Sequence, residues 1–146
     1  MEHKPSFAVL GAGNGGVATA ADLTVRGYKV NLWEHPDFAD TIRPMQELGG
    51  IHLETVDSIP MKPGFAKVNM ITTDIQAALD GVDCVLVIVP AFAHRNIAEC
   101  CAPYLQDGQV VVISPGNFGG AIQFRNVFRE KGTAKDVVFA EAECMI

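Results

Sequence analysis

The residues from Phe7 to Ala18 constrain the fold more than any other stretch of this chain. They read FAVLGAGNGGVA, an apolar run of strand length, then G-x-G-x-x-G, then the start of a helical pattern. Gly11 would permit a sharp exit from the strand, Gly13 a close approach of the backbone to a pyrophosphate, and Gly16 tight packing of the helix on the sheet. The N–H groups of the first helical turn would then face the phosphates. The predicted phosphate contacts are Gly11, Ala12, Gly13, Asn14, Gly15 and Gly16.

The rest of the chain repeats the order of strand and then helix. Apolar runs predict strands at about residues 6–10, 28–33, 68–71, 84–89, 109–114 and 137–140. Helical patterns follow at about 17–25, 36–48, 74–79, 91–105 and 121–131, the second of them interrupted near Pro44. This alternation predicts the α/β class, with a doubly wound parallel sheet of the Rossmann type and the strand order 3-2-1-4-5-6. Residues 51–56 and 59–61 predict a small antiparallel excursion around 51–62, closed by Pro63 and Gly64.

Composition limits the classes of function. A length of 146 residues fits a single domain, residues 1–146, and 49% apolar residues suit a parallel sheet that is covered on both faces. The net charge of −6 argues against a nucleic-acid partner, and the apolar runs are too short to cross a membrane. No metal site is expected, because the sequence shows no cluster of His or Cys ligands. The first residues contain no apolar signal segment, so we expect a cytoplasmic protein.

The adenosine end of a dinucleotide is predicted at the end of the second strand. Glu34 ends that strand, eighteen residues after Gly16, where an acidic side chain accepts hydrogen bonds from the ribose hydroxyls. A 2′-phosphate at about 4 Å from this carboxylate would cost about 4 kcal/mol at an effective dielectric of about 20, which favours NAD over NADP. NADP stays open, because Glu34 could turn away and Arg43 lies on the next helix. His35 is expected beside the adenosine; the alternative for Glu34 is a solvated carboxylate at a strand end.

Two further segments are predicted to border the nicotinamide. The end of the fourth strand would form a small apolar floor, although without a cofactor it would be an ordinary strand end and turn. A second glycine-rich loop follows the fifth strand, and Asn117 in it would bind a carboxamide or the substrate, or else serve only as a turn residue. The predicted contacts are Val89, Pro90, Ala91, Pro115, Gly116 and Asn117.

Two titratable side chains near this crevice have open roles. Glu141 follows the sixth strand and would meet a cationic substrate group, be exposed, or pair with Arg125 or Arg129. His94 lies early in the helix after Pro90, where a solvated position is favoured over contact with the cofactor edge.

Five motifs together resemble the amino-terminal domain of the opine dehydrogenases, the octopine and nopaline dehydrogenase family. They are GAGNGG at 11–16, LWE at 32–34, VIVPA at 87–91, SPGNFGG at 114–120 and AE at 140–141, and the resemblance spans essentially the whole chain. Glycerol-3-phosphate dehydrogenase, 6-phosphogluconate dehydrogenase and ketopantoate reductase share the resemblance more loosely. The Gly-Asn-Gly-Gly turn and the Pro-Gly-x-x-Gly-Gly loop favour the opine dehydrogenases.

The resemblance implies reductive condensation of an α-keto acid, often pyruvate, with the amino group of an amino acid, using NAD(P)H. It also implies two-domain enzymes whose catalytic histidine and aspartate lie in a helical carboxyl-terminal domain, which is absent from this sequence. We therefore expect no catalytic residue in this chain and no activity of the chain alone, with Asn117 and Glu141 as candidates for the substrate side. The abrupt end after the sixth strand predicts either a longer protein or self-association through apolar surface. The alternatives are another 2-hydroxy-acid or imino-acid reductase of this superfamily, and an NAD-binding module without catalysis.

Overall fold

Six parallel strands form the central sheet of the computed structural model, which describes residues 4–56, 58 and 62–144. The strands are β1 (Ser6–Leu10), β2 (Lys29–Trp33), β5 (Met70–Thr72), β6 (Cys84–Val87), β7 (Val110–Ile113) and β8 (Val138–Glu141). β1 lies near the centre, where Val9 is in register with Leu32 of β2 and Leu86 of β6. The order β5-β2-β1-β6-β7-β8 confirms the predicted doubly wound order 3-2-1-4-5-6.

Helices cover both faces of this sheet. They are α1 (Asn14–Val25), α2 (Ala39–Leu48), α3 (Ile75–Leu79), α4 (His94–Cys101) and α5 (Gly120–Glu130), and short 3-10 turns at Pro36–Phe38 and Ala91–Ala93 lead into α2 and α4. α1 and α2 bury Ala20 and Ile42 on one face, and α4 and α5 bury Ile97 and Phe124 on the other. Because successive residues of a strand point to opposite faces, neighbouring residues of β1 belong to different clusters.

The small antiparallel sheet is present, but its second strand lies later than predicted. β3 (Ile51–Leu53) pairs with β4 (Gly64–Ala66), whereas the predicted partner, residues 59–61, falls outside the described residues. Gly64 therefore begins a strand, and the prediction that Pro63 and Gly64 close the excursion is wrong. β5 also begins later than predicted, at Met70, because the backbone bends at Asn69.

Two predicted helices differ in extent. Pro44 does not interrupt α2, although a proline inside a helix removes one backbone hydrogen bond. Both Pro44 and Asp40, whose carbonyl would have received that bond, are exposed, so water can replace it, while buried Ile42 anchors the helix. The helix predicted at 91–105 is shorter, because α4 ends at Cys101, two residues before Pro103. None of the helices in the described part of the chain has the length and apolarity that a membrane crossing requires.

Candidate cofactor-binding crevice

The turn after β1 leaves room beside Gly13 but none beside two neighbouring glycines. Gly11 has φ of +103°, and a Cβ there would be 2.5 Å from the carbonyl oxygen of Ile88. A Cβ on Gly16 would be 1.8 Å from the carbonyl oxygen of Gly11, so only glycine lets α1 approach the turn this closely. A Cβ on Gly13 would meet no described residue within 4 Å. The backbone at Gly13 is therefore open to a ligand.

The start of α1 carries no capping side chain. Gly13 is the N-cap residue, and its carbonyl oxygen accepts a hydrogen bond from the N–H of Val17 at 2.9 Å. Over the described residues, no side chain caps this end and no acidic residue lies in the first turn, which contains exposed Asn14 and half-buried Gly15. The free N–H groups of a helix start, together with the positive end of the helix dipole, attract an anion. This turn fits the pyrophosphate of a dinucleotide.

Glu34 is fixed at the end of β2 by two backbone donors. Its Oε2 accepts a hydrogen bond from the N–H of Ala12 at 2.7 Å, and its Oε1 accepts one from the N–H of His35 at 2.7 Å. Glu34 and His35 border the same cavity as Gly11 and Gly13. The carboxylate is therefore held beside the glycine turn, and the N–H of Ala12 is already engaged by it.

A cavity of about 460 Å³ lies at the carboxyl ends of β1, β2 and β6. This volume is in the usual range of small-molecule sites, about 300–1,000 Å³. The residues predicted from the sequence that border it are Gly11, Gly13, Glu34, His35, Val89 and Pro90. The lining residues that were not predicted are Asp37, Phe38, Ile88, Phe92, Ala93, Asn96 and Ile97.

Two patterns could have revealed the unpredicted lining residues. Ala93, Asn96 and Ile97 have the i, i+3, i+4 spacing of one helical face, which brings them together after the end of β6. Asp37 belongs to the 3-10 turn after His35, and its N–H donates to Nδ1 of His35 at 3.2 Å. The chain after Glu34 therefore turns back along the crevice instead of leaving it.

The loop after β7 does not border this cavity. The N–H of Gly116 donates to the carbonyl of Ala142 at 2.7 Å, and Oγ of Ser114 donates to the carbonyl of Cys144 at 2.9 Å, so the chain after β8 holds the loop. Exposed Asn117 has φ of 51° and its Nδ2 donates to the carbonyl of Pro115 at 3.4 Å, as a turn residue does. The loop thus lies outside the lining of the cavity, and contact of residues 115–117 with the nicotinamide stays a prediction. Ala91 is exposed beside the cavity, and its contact with the nicotinamide also stays a prediction.

Glu141 stabilises the start of α5. Its Oε2 accepts a hydrogen bond from the N–H of Ala121 at 2.9 Å, a favourable place for a carboxylate. Its side chain also packs on Gly116, where an added Cβ would be 2.4 Å from the Cβ of Glu141. Among the described ion pairs, none joins Glu141 to Arg125 or Arg129. The side chain is exposed, and a role on the substrate side stays a prediction.

His94 is buried, and the expectation of a solvated side chain is wrong. Only 2% of the residue is exposed, because the first residue of α4 lies against the segments that follow β6 and β7. Burial lowers the pKa of His94, and the backbone of Val89 and Pro115 and the carboxylate of Glu141 oppose this effect. The imidazole is therefore neutral at pH 7 and lies behind the predicted nicotinamide end of the crevice.

An open helix start beside an acid at the end of the next strand is the arrangement by which doubly wound sheets hold a dinucleotide, and it defines a Rossmann-type dinucleotide-binding domain. The chain belongs to the family whose model is described as the NAD-dependent glycerol-3-phosphate dehydrogenase N-terminus, which matches residues 6–124. The family is NAD-dependent, in agreement with the predicted cofactor.

Known relatives include enzymes of two kinds. The opine dehydrogenase of Arthrobacter sp. (strain 1C) is 38% identical over 146 residues, which are 100% of this chain and 39% of that protein. A glycerol-3-phosphate dehydrogenase of Moorella thermoacetica is 38% identical over 112 residues, which are 75% of this chain and 30% of that protein. The chain thus spans less than half the length of the curated relatives it matches.

The fold also matches solved structures. A structure of octopine dehydrogenase with NADH and L-arginine superimposes with a TM-score of 0.75 at 27% identity, covering 92% of this chain and 34% of the other. The likeness supports the resemblance to opine dehydrogenases drawn from the sequence motifs.

Proposed function

We propose that this chain binds NAD(H) in the crevice and presents its nicotinamide to an opine-forming reaction, the reductive condensation of an α-keto acid with an amino acid. The observation that carries the proposal is the pairing of open backbone at Gly13 with a carboxylate fixed at Glu34. Bound NADH would supply the hydride. The start of α1 would hold the pyrophosphate, and Glu34 would accept hydrogen bonds from the adenosine ribose. His35 and Phe38 would border the adenine, and Val89, Pro90 and Phe92 the nicotinamide.

NAD is the cofactor that the fixed carboxylate favours over NADP. Two N–H donors hold Glu34, so turning it away would break both hydrogen bonds. Arg43, the nearest candidate partner for a 2′-phosphate in sequence, instead pairs with Asp40. A 2′-phosphate would then face an unneutralised carboxylate, at a cost of about 4 kcal/mol for a separation of about 4 Å.

The carboxyl-terminal part of the chain favours the opine reaction over oxidation of glycerol 3-phosphate. The family model ends at residue 124, whereas the opine dehydrogenase of Arthrobacter aligns over all 146 residues. The added part contains Glu141, which holds the start of α5, and the carbonyls of Ala142 and Cys144, which hold the loop after β7. Glycerol-3-phosphate dehydrogenase is the second candidate, because the enzyme of Moorella thermoacetica is also 38% identical to this chain, over 112 residues.

We place the catalytic acid–base groups outside this chain, in a domain that would follow residue 146. The relatives are more than twice as long as the matched part, which leaves room for such a domain. This chain alone should therefore bind cofactor without turning over an α-keto acid and an amino acid. We also propose a cytoplasmic location, because the free thiols of all four cysteines suit a reducing compartment.

Titration of the chain with NADH and with NADPH tests the proposal. We expect saturable binding of NADH, followed by its fluorescence, and binding of NADPH weaker by at least about thirtyfold, since part of the repulsion at Glu34 is screened by solvent. Absence of binding by both cofactors would refute the cofactor role. Turnover of an α-keto acid and an amino acid by this chain would refute the placement of the catalytic groups.

A further inference from the structure

His94 is a buried histidine at the first position of α4, where it contacts the start of α5. A Cβ on Gly120 would be 3.2 Å from both Cε1 and Nδ1 of its ring. The ring of Phe124 lies edge-on, 6.5 Å away between centroids. The imidazole therefore fills a position inside the core on the α4 and α5 face of the sheet.

Packing alone does not explain a histidine in this position. Within the described part of the chain, Nε2 of His94 is buried and has no hydrogen-bond partner. A buried polar atom without a partner costs stability, so the fold alone gives no reason for a nitrogen at this end of the ring. The unpaired Nε2 therefore points to a requirement outside the fold.

The surroundings of the ring indicate what that requirement is. Backbone groups of Val89 and Pro115 lie within hydrogen-bond reach of the imidazole, and the charge of the Glu141 carboxylate also acts on it. Val89 borders the cavity after β6, and Pro115 begins the loop after β7. Glu141 holds the start of α5 and packs on that same loop. One ring thus lies against every segment that borders the predicted nicotinamide end.

We propose that His94 is a positioning residue for the nicotinamide half of the dinucleotide, an inference that rests on the proposed function. Its neutral imidazole would fix the spacing between the segment after β6 and the loop after β7. Its Nε2 would gain a hydrogen bond with the backbone of one of these segments when they adjust to the bound cofactor. The adenosine half of the ligand lies at Glu34 and His35, on the other side of the glycine turn, and would not depend on His94.

Two substitutions and two ligands test this role. His94→Leu removes both ring nitrogens, and His94→Gln keeps one polar group that can donate and accept. His52→Leu is the matched control, because His52 is an exposed histidine of β3 outside the cavity. For each protein, the dissociation constants of NADH and of ADP and the midpoint of thermal unfolding are measured at pH 7.5.

We expect His94→Leu to keep or raise the midpoint of thermal unfolding. Its dissociation constant for NADH should rise about tenfold, while that for ADP should stay within twofold of the value for the unsubstituted chain. His94→Gln should recover part of the NADH affinity, and His52→Leu should change neither ligand. Equal weakening of NADH and ADP, or unchanged NADH affinity in both His94 variants, would overturn the inference. A lower midpoint in His94→Leu would assign the residue to packing and overturn it as well. The proposed function fails in a different way, namely if the unsubstituted chain binds neither ADP nor NADH.

Discussion

The two ends of the crevice are built in different ways. At the proposed adenosine end, hydrogen bonds fix the polar groups: the N–H of Gly11 donates to the carbonyl of Trp33 at 2.9 Å, and Nε1 of Trp33 donates to the carbonyl of Thr73 at 3.0 Å. At the proposed nicotinamide end, Phe92 is 89% exposed and Phe118, on the loop after β7, is 87% exposed. The first end can select a ligand through fixed polar groups, whereas the second offers mainly apolar area. Affinity should therefore come mostly from the adenosine and pyrophosphate contacts.

The largest expected effect comes from closing the open space at the glycine turn. Gly13→Val places a branched side chain beside the start of α1, where a pyrophosphate would lie. We expect the affinities for both NADH and ADP to fall at least about a hundredfold, because the phosphate groups common to both ligands lose access to the N–H groups. Isothermal titration of both ligands measures this change.

Gly64→Val is the matched control for that substitution. A Cβ at Gly64 also meets no described residue within 4 Å, but Gly64 lies in β4, away from the crevice. Its ligand affinities should equal those of the unsubstituted chain. Retained binding of both ligands by Gly13→Val would mean that the turn is only structural.

The next effect isolates the carboxylate at the adenosine end. Glu34→Ala should weaken NADH about ten- to a hundredfold, since a hydrogen bond to a charged group contributes about 1.5–3 kcal/mol. Glu34→Gln keeps an oxygen that can accept a hydrogen bond from the N–H of Ala12 but removes the charge. The difference in affinity between NADH and NADPH should therefore become smaller. Fluorescence titration with both cofactors gives the ratio.

The exposed carboxylate of Glu54, just after β3, provides the control for the loss of one negative charge. Glu54→Gln should leave the ratio of NADH to NADPH affinity unchanged. If Glu34→Gln also leaves it unchanged, the charge at Glu34 does not select the cofactor.

A smaller effect is expected at the nicotinamide end. Phe92→Ala removes an apolar wall of the cavity that is only partly covered in the free chain. We expect NADH to weaken about threefold through lost apolar contact, with ADP unchanged. Equal effects on ADP would show that Phe92 lies beside the adenosine instead, and would reverse the assignment of the two ends.

The smallest effect is a pH dependence of stability. Burial lowers the pKa of His94 from its ordinary value of 6.5, so between the two values the unfolded chain binds more protons than the folded chain. The free energy of unfolding should therefore fall as the pH decreases below about 6.5. In His94→Leu it should fall less steeply, because the group that takes up the proton on unfolding is gone. Urea unfolding of both proteins at pH 7.5, 6.0 and 5.0 measures the difference. An equal dependence of the free energy of unfolding on pH in the two proteins would contradict the prediction.

The sequence predicts the sheet, and the placement of Gly11 and Glu34 at strand ends, for a physical reason. The strand order follows from the alternation of apolar runs and helical patterns, and the positions of Gly11 and Glu34 at strand ends follow from it. The nicotinamide end is less predictable, because it depends on contacts between distant segments. The carbonyls of Ala142 and Cys144 hold the loop after β7, and no local pattern indicates this pairing. The burial of His94 depends in the same way on how α4 meets α5.

A crystal structure of the chain with NAD⁺ would test the proposed cofactor site. We expect the pyrophosphate beside Gly13 at the start of α1, with the adenosine ribose hydroxyls within hydrogen-bond distance of the Glu34 carboxylate. A dinucleotide bound elsewhere, or a ribose turned away from Glu34, would contradict it.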